Sequence, residues 1–359
     1  MNRAYNFSAG PAGLPTEVLE EAQRELLDYK GSGVSIMESS HRGKEYKAVQ
    51  EEAEANIRTL MGLDDDYAVL FLQGGATGQF AMVPMNLLGA GKTADYVNTG
   101  AWAKKAIKEA KVLGNAHIAA DTSESTPACM PELGDLDLTP GAAYLHITSN
   151  ETIAGTQWKT FPTAEAPLVA DMSSDILSRS LNAKDFGLIY AGAQKNLGPA
   201  GVTLVIMLRD LADKVGDHVP TIYRYKMHME NDSMYNTPPC FPIYILMLVT
   251  RWLLAKGGIA GVEEGNRAKA DKLYQAIDAT EFYRGTAAVA YRSDMNVTFR
   301  LPSEDLEAQF VKEATAQSMQ ALKGHRSVGG IRASIYNSFP AEGVDALVSF
   351  MKDFEQKHG

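Results

Sequence analysis

The sequence predicts an α/β fold: a large domain on a mostly parallel, seven-stranded sheet with helices on both faces, beside a smaller α+β domain. Three observations predict it. Short apolar runs recur at 68–72, 95–99, 117–120, 144–148, 168–170, 188–191 and 202–207, separated by helical patterns or long crossovers, as expected of strands buried on both faces. Residues suited to holding a ligand fall just after such runs, where open α/β sheets bind their ligands. Beyond Lys256-Gly257-Gly258 the order of elements changes, and 359 residues exceed the size at which single cores usually split. The expected division is a large cofactor-binding domain over 16–256 and a small domain formed by 1–15 with 257–359.

Composition narrows the function. A net charge of −10 argues against a general nucleic-acid binder and against a binder of anionic membranes, both of which need a basic face. The two cysteines, Cys129 and Cys240, have no partners at metal-ligand spacing, so no metal site is expected and a reducing compartment is. Residues 1–11 contain no apolar stretch of the secretory kind. The most apolar segment, 241–254, contains Pro242 and Arg251 and is too short to span a bilayer. A cytoplasmic protein with neither nucleic acid nor membrane as partner is expected.

In chain order, Thr16 can cap a helix reaching about Tyr29, with Val18, Leu19, Ala22, Leu26 and Tyr29 on one face and Gly31 as its stop. His41 and Arg42 follow in a polar loop; they suit an anionic ligand or a solvated surface. A second helix is expected over 45–61, ending at Gly62. The strand 68–72 then leads into Gln73-Gly74-Gly75-Ala76-Thr77-Gly78 and a helix over 79–88. Strand, glycine turn and helix make an anion cradle, because helix amides point at the ligand. The stretch has neither the dinucleotide fingerprint nor the P-loop spacing, and an ordinary strand-to-helix turn reads the same way. After the strand 95–99, Trp102 stands where a helix over 103–113 begins, fit to stack on a flat ring or to pack in a core. The strand 144–148 runs into the polar loop Ser149-Asn150-Glu151-Thr152-Ile153.

Two further residues carry the chemistry. Asp171 ends one apolar strand, and Lys195 follows the next, in Ala191-Gly192-Ala193-Gln194-Lys195-Asn196. A lysine at the edge of a buried sheet is pushed towards the neutral amine. A carboxylate beside it can keep a pyridine nitrogen protonated, so the pair points to pyridoxal phosphate, which needs both. A lysine in a solvated loop is the alternative. Downstream come Tyr235-Asn236-Thr237-Pro238-Pro239, a core helix over 241–255, a helix over 262–276, a strand over 295–301 and a helix over 303–322. The loop holding His325 and Arg326 precedes a strand over 331–335, and a last helix covers 341–356. Arg332 in that strand needs a carboxylate, either on a substrate or within the protein.

Taken together, ten segments in order resemble the phosphoserine aminotransferase family of class V transaminases, pyridoxal-phosphate enzymes of fold type I. They are Asn6-Phe-Ser-Ala-Gly-Pro11, Ser39-Ser-His-Arg-Gly43, Leu72-Gln-Gly-Gly75, Gly78-Gln-Phe80, Gly100-Ala-Trp102, Asn150-Glu-Thr152, Ala170-Asp-Met-Ser-Ser174, the stretch 191–199, Tyr235-Asn-Thr-Pro-Pro239, and the loop from His325-Arg326 to Arg332. The resemblance implies that Lys195 joins the cofactor aldehyde, Asp171 holds the ring nitrogen, Trp102 stacks on the ring and Thr152 meets its hydroxyl. It implies a phosphate site of Ala76, Thr77 and Gln194, completed by Asn236 and Thr237 of a second subunit in a homodimer with shared active sites. Arg332 would take the substrate α-carboxylate. His41, Arg42, His325 and Arg326 would take the phosphate of phosphoserine or the distal carboxylate of glutamate. Some members carry Arg where this chain has Thr77, so phosphate recognition is expected to rest on those four residues. The implied reaction converts phosphoserine and 2-oxoglutarate to 3-phosphooxypyruvate and glutamate, in serine biosynthesis, with 4-phosphooxy-L-threonine of pyridoxine biosynthesis as a further substrate. Another class V enzyme, lyase or desulfurase-like, and a non-catalytic protein that binds a phosphorylated ligand are the alternatives.

Overall fold

A strand covered on both faces must be apolar at almost every position, whereas a helix on a sheet needs only one apolar stripe. The computed structural model, which describes residues 3–216 and 218–359, follows this division of labour. The chain starts with β1 (Tyr5–Asn6) and helix α1 (Thr16–Glu25). In α2 (Lys44–Met61) the stripe Tyr46, Val49, Ala53, Ile57 and Leu60 is buried, and Gly62 closes the helix at φ 62°, a left-handed conformation that glycine reaches without a Cβ clash. Strands and helices then alternate: β2 (Tyr67–Leu72), α3 (Gly75–Leu87), β3 (Thr93–Asn98), α4 (Ala101–Leu113), β4 (Asn115–Asp121) and β5 (Leu145–Thr148). A small hairpin, β6 (Asn150–Glu151) and β7 (Thr156–Gln157), comes before β8 (Leu168–Asp171), β9 (Leu188–Gly192) and β10 (Thr203–Leu208).

These form one seven-stranded sheet in the order β2-β10-β9-β8-β5-β3-β4. β9, β8, β5, β3 and β4 run parallel, and β10 is antiparallel to both of its neighbours. The period of two is visible in the packing. Val69 and Phe71 of β2 enter the core under α2, while Leu70 and Leu72 enter the opposite core with Phe80 and Val83 of α3. Helices α5 (Tyr225–Glu230) and α6 (Cys240–Ala255) complete this part, α6 lying against α2. Among the described residues no single helix is long and apolar enough to cross a membrane.

The remaining chain makes a second unit. It comprises α7 (Gly258–Asp278), β11 (Arg284–Gly285), β12 (Asn296–Arg300), α8 (Glu304–Ala316), β13 (Met319–Gln320), β14 (Ile331–Ser334) and α9 (Ala341–His358). β11, β12 and β14 form an antiparallel sheet over a core of Phe299, Phe310, Phe350 and Phe354. Phe7 belongs to the same core, and β1 pairs with β13, which ties the start of the chain to this unit. On that pairing we propose the division into 16–256 and 1–15 with 257–359, of which residues 1, 2 and 217 lie outside the described residues.

Several local expectations are corrected. Thr16 does not cap α1: it is the first helical residue after Pro15, and its hydroxyl accepts from Arg3 Nη1 at 2.7 Å. That helix ends at Glu25, short of Tyr29, which starts a separate 3-10 turn. α3 begins at Gly75 rather than Gln79, because Gly74 turns left-handed at φ 95° and lets the helix start at once. α8 stops at Ala316 rather than Leu322, since Ser318 and Ala321 are left-handed and the residues between them pair with β1. The polar stretch after β5 is not a loop throughout: Asn150 and Glu151 form a buried strand of a small hairpin.

Candidate active site

The carboxyl ends of the strands gather the predicted residues. β8 ends on Asp171, and β9 runs into Gln194 and Lys195. β5 leads through the buried hairpin to Thr152, and β2 and β3 lead through glycines into α3 and α4. Lys195 Nζ donates to Thr152 Oγ1 at 3.0 Å and lies 5.5 Å from the centre of the Trp102 ring. The N-terminal segment closes over it: a Cβ on Gly10 would sit 3.4 Å from Lys195 Cγ at φ +139°, and the Ala12 amide donates to the Gln194 carbonyl at 2.8 Å. Burial pushes the Lys195 pKa down; Asp171 and Glu151 pull it back up, and Arg332 adds to the push. The neutral amine is thereby favoured, as the strand-edge argument expects.

Asp171 is buried. Its Oδ1 accepts from the Ser173 amide at 2.9 Å and the Ser173 hydroxyl at 2.6 Å, and that hydroxyl in turn accepts from the Gly192 amide at 3.1 Å. Oδ2 has no hydrogen-bond donor among the described residues, so one carboxylate oxygen is anchored and the other is free for a ligand. Burial raises the Asp171 pKa, against the lowering effect of Ser173 and Lys195. Next to these groups is a carboxyl that the sequence reading left without a role. Glu151 is fully buried, accepts from the Thr99 hydroxyl at 3.2 Å, and is pushed up to about 7 by burial. Its room comes from Gly100, where a Cβ would fall 2.9 Å from Glu151 Cδ.

The first turn of α3 presents amides at Gly75, Ala76 and Thr77; Ala76 is half-buried and Thr77 exposed, and no charged side chain occupies that turn. Such a turn binds an anion through its unpaired N–H groups. Asn236 and Thr237 stand near it in the same chain, through Asn236 Nδ2 to Gln73 Oε1 at 3.2 Å and Gln73 Nε2 to the Thr237 carbonyl at 3.1 Å. Trp102 is the second residue of α4 and half-buried, with its Nε1 shielded and without a partner among the described residues.

Arg332 bears on one of the open alternatives. Its Nε is buried and unpartnered, and no ion pair to any carboxylate is present among the described residues. An internal salt bridge is thus not found among those residues. His325 binds Ser327 Oγ through Nδ1 at 2.7 Å, and its pKa is lowered by burial and by Arg332, Arg326 and Lys105. His325 and Arg332 line a cleft of about 560 Å³ that reaches Ile153, next to Thr152. His41 and Arg42 are not brought to this cluster: they lie in the turn before α2, with no contact to Lys195, His325, Arg326 or Arg332 among the described residues. Besides Glu151, sequence reasoning missed Gly10, Ser173 and Lys105. Gly10, Ser173 and Glu151 lie within segments that carry the resemblance, and Lys105 stands one helical turn after Trp102.

This geometry can be set beside known proteins. The family model for class-V aminotransferases matches residues 4–347. The phosphoserine aminotransferase of Niallia circulans is 55% identical over 359 residues, covering 99% of each chain. The solved phosphoserine aminotransferase from Bacillus circulans subsp. alkalophilus superposes with a TM-score of 0.98 at 55% identity over 99% of each chain. A phosphoserine aminotransferase from Trichomonas vaginalis, solved with pyridoxal phosphate bound, gives 0.94 at 41% identity, over 98% of this chain and 100% of that one.

Proposed function

The chain belongs to the class-V aminotransferase family, and on that premise we propose that it transfers the amino group of O-phospho-L-serine to 2-oxoglutarate, giving 3-phosphooxypyruvate and L-glutamate. It is an enzyme of the pyridoxal-phosphate class, and its residues fit that cofactor. The fit rests on the free Oδ2 of buried Asp171, the unpaired amides at the start of α3, and a lysine held towards its neutral form. Ala76, Thr77 and Gln194 would hold the phosphate, Trp102 the ring face, Asp171 the ring nitrogen and Thr152 the ring hydroxyl. Bound there, pyridoxal phosphate supplies an aldehyde for the substrate amine and a ring that accepts electrons from the substrate Cα.

The chain's own residues do the rest. Lys195 Nζ, held towards its neutral form, would take the proton from the substrate Cα and hold it until the transfer needs it back. Thr152 Oγ1, 3.0 Å from Nζ, aims that amine. Ser173 fixes the orientation of Asp171 through two hydrogen bonds to one oxygen, so that the second keeps its direction. Arg332 binds the α-carboxylate in a planar, two-point contact, which orients the Cα–H bond. His325 and Arg326, with His41 and Arg42, receive the distal phosphate or the distal carboxylate of glutamate. His41 and Arg42 have no such contact within one chain, which supports a homodimer in which they serve the partner's site; Asn236 and Thr237, near the first turn of α3 in their own chain, would complete a phosphate site shared between the two subunits. A cytoplasmic place in serine biosynthesis, with 4-phosphooxy-L-threonine as a second substrate, goes with this reading.

The observation that carries the reading is Arg332, whose buried Nε has no protein partner among the described residues and whose charge reaches Lys195. A desulfurase would need a nucleophilic cysteine there, and neither Cys129 nor Cys240 contacts Lys195 among the described residues. The test is to incubate the cofactor-loaded protein with phosphoserine and 2-oxoglutarate and measure glutamate. Glutamate formed in proportion to phosphoserine consumed is expected. Loaded protein that forms none would sink the proposal.

A further inference from the structure

Lys105 has no part in the scheme above, and its surroundings give it one. It is exposed on α4, and its Nζ lies 4.2 Å from the centre of the Trp102 ring, the same ring that lies 5.5 Å from Lys195 Nζ. The indole face attracts an ammonium and so confines an otherwise mobile side chain to the mouth of the site. Its neighbour behaves differently: Lys104 Nζ pairs with Glu124 Oε1 at 2.5 Å, whereas Lys105 has no carboxylate partner among the described residues. No acidic residue stands in the first turn of α4 itself; the buried Glu151 carboxyl, against Gly100, is the acid at that helix end.

The groups across the mouth have the same sign. Arg332 and Arg326 reach His325 electrostatically alongside Lys105, and Arg332 has no ion pair of its own among the described residues. The first turn of α3 contributes no cation. Positive groups from two separate units of the protein thus act together on His325, and an anion arriving from solution would relieve their mutual repulsion.

We propose that Lys105 is a specificity-determining residue, whose ammonium takes an oxygen of the substrate's distal phosphate from the α4 side while His325 and Arg326 approach from the small unit. The inference rests on phosphoserine being the substrate. A point charge on a flexible stem suits the spherical charge of a phosphate dianion, and it discriminates by charge: removing one cation costs a dianion about twice what it costs a monoanionic carboxylate at the same distance.

The experiment uses the cofactor-loaded enzyme with Lys105→Met and Lys105→Arg. In the Met variant the KM for phosphoserine should rise about tenfold, as for loss of one charge-assisted hydrogen bond. The KM for L-glutamate should rise by clearly less, and competition by inorganic phosphate against phosphoserine should weaken in step. Lys105→Arg should recover most of both, which a purely structural role would not predict for so exposed a residue. An unchanged phosphoserine KM in Lys105→Met, or equal losses for phosphoserine and glutamate, overturns the assignment. If the wild-type enzyme itself does not turn over phosphoserine, the functional reading fails first and takes this one with it.

Discussion

The ligand edge of the large sheet and the basic rim of the small unit treat their polar side chains in opposite ways. At the sheet edge, Asp171 is hydrogen-bonded to Ser173 and Lys195 to Thr152, with the Gly192 amide as an outer support. On the rim, Arg332 and Arg326 have no protein carboxylate among the described residues. Atoms that must meet a reacting centre need a fixed direction, so the protein supplies their partners. Groups that only recognise charge can leave the partner to the substrate, which makes binding selective because the empty site is unsatisfied.

The sharpest way to break this contrast is at its rigid side. Lys195→Ala should abolish proton transfer, lowering turnover on the order of a thousandfold, while cofactor still binds without becoming fixed to the protein by borohydride. A variant that turned over at the normal rate would remove Lys195 from the mechanism. At the rim the expected outcome is different in kind. Arg332→Gln should raise the KM for amino acids by roughly ten- to a hundredfold, yet leave the melting temperature unchanged or slightly higher, because no buried acid loses a partner. A marked fall in melting temperature would mean that the guanidinium is structural after all.

A different readout applies at the start of α4, where Glu151 sits against Gly100. Glu151 is pushed up to about 7 from 4.5 by burial, so between those values the folded chain keeps a proton that the unfolded chain has released. The folded state is therefore favoured at low pH and loses that advantage as pH rises through about 7. Glu151→Gln cannot titrate. Its melting temperature should lack this decline, a difference on the order of a few kcal/mol across the window. Parallel curves for the two proteins would show that Glu151 is not buried as described.

Much of the fold was legible because its signals are short-range. Fully apolar runs marked the sheet strands, the stripe of α2 ended where Gly62 ends it, and Asp171 and Lys195 stood out as charges at strand ends. The roles of Thr152, Gln194, Asn236 and Thr237 came from a family resemblance, which local patterns alone would not have supplied. Elsewhere a tertiary contact overrules a local preference: α8 stops early because the segment beyond it pairs with β1, more than 300 residues away in sequence.

Periodicity and spacing within a few residues suffice for the alternating α/β plan, for the strand-end position of the candidate site and for the chemical types of its central pair. Which charges are neutralised is set by the three-dimensional packing. Whether Arg332 has an acid, whether Lys105 faces the same ring as Lys195, and what fills the space that Gly10 and Gly100 leave all depend on segments brought together from distant parts of the chain. Coulomb energy and steric fit depend on separation in space, and sequence spacing reports that separation only within one element.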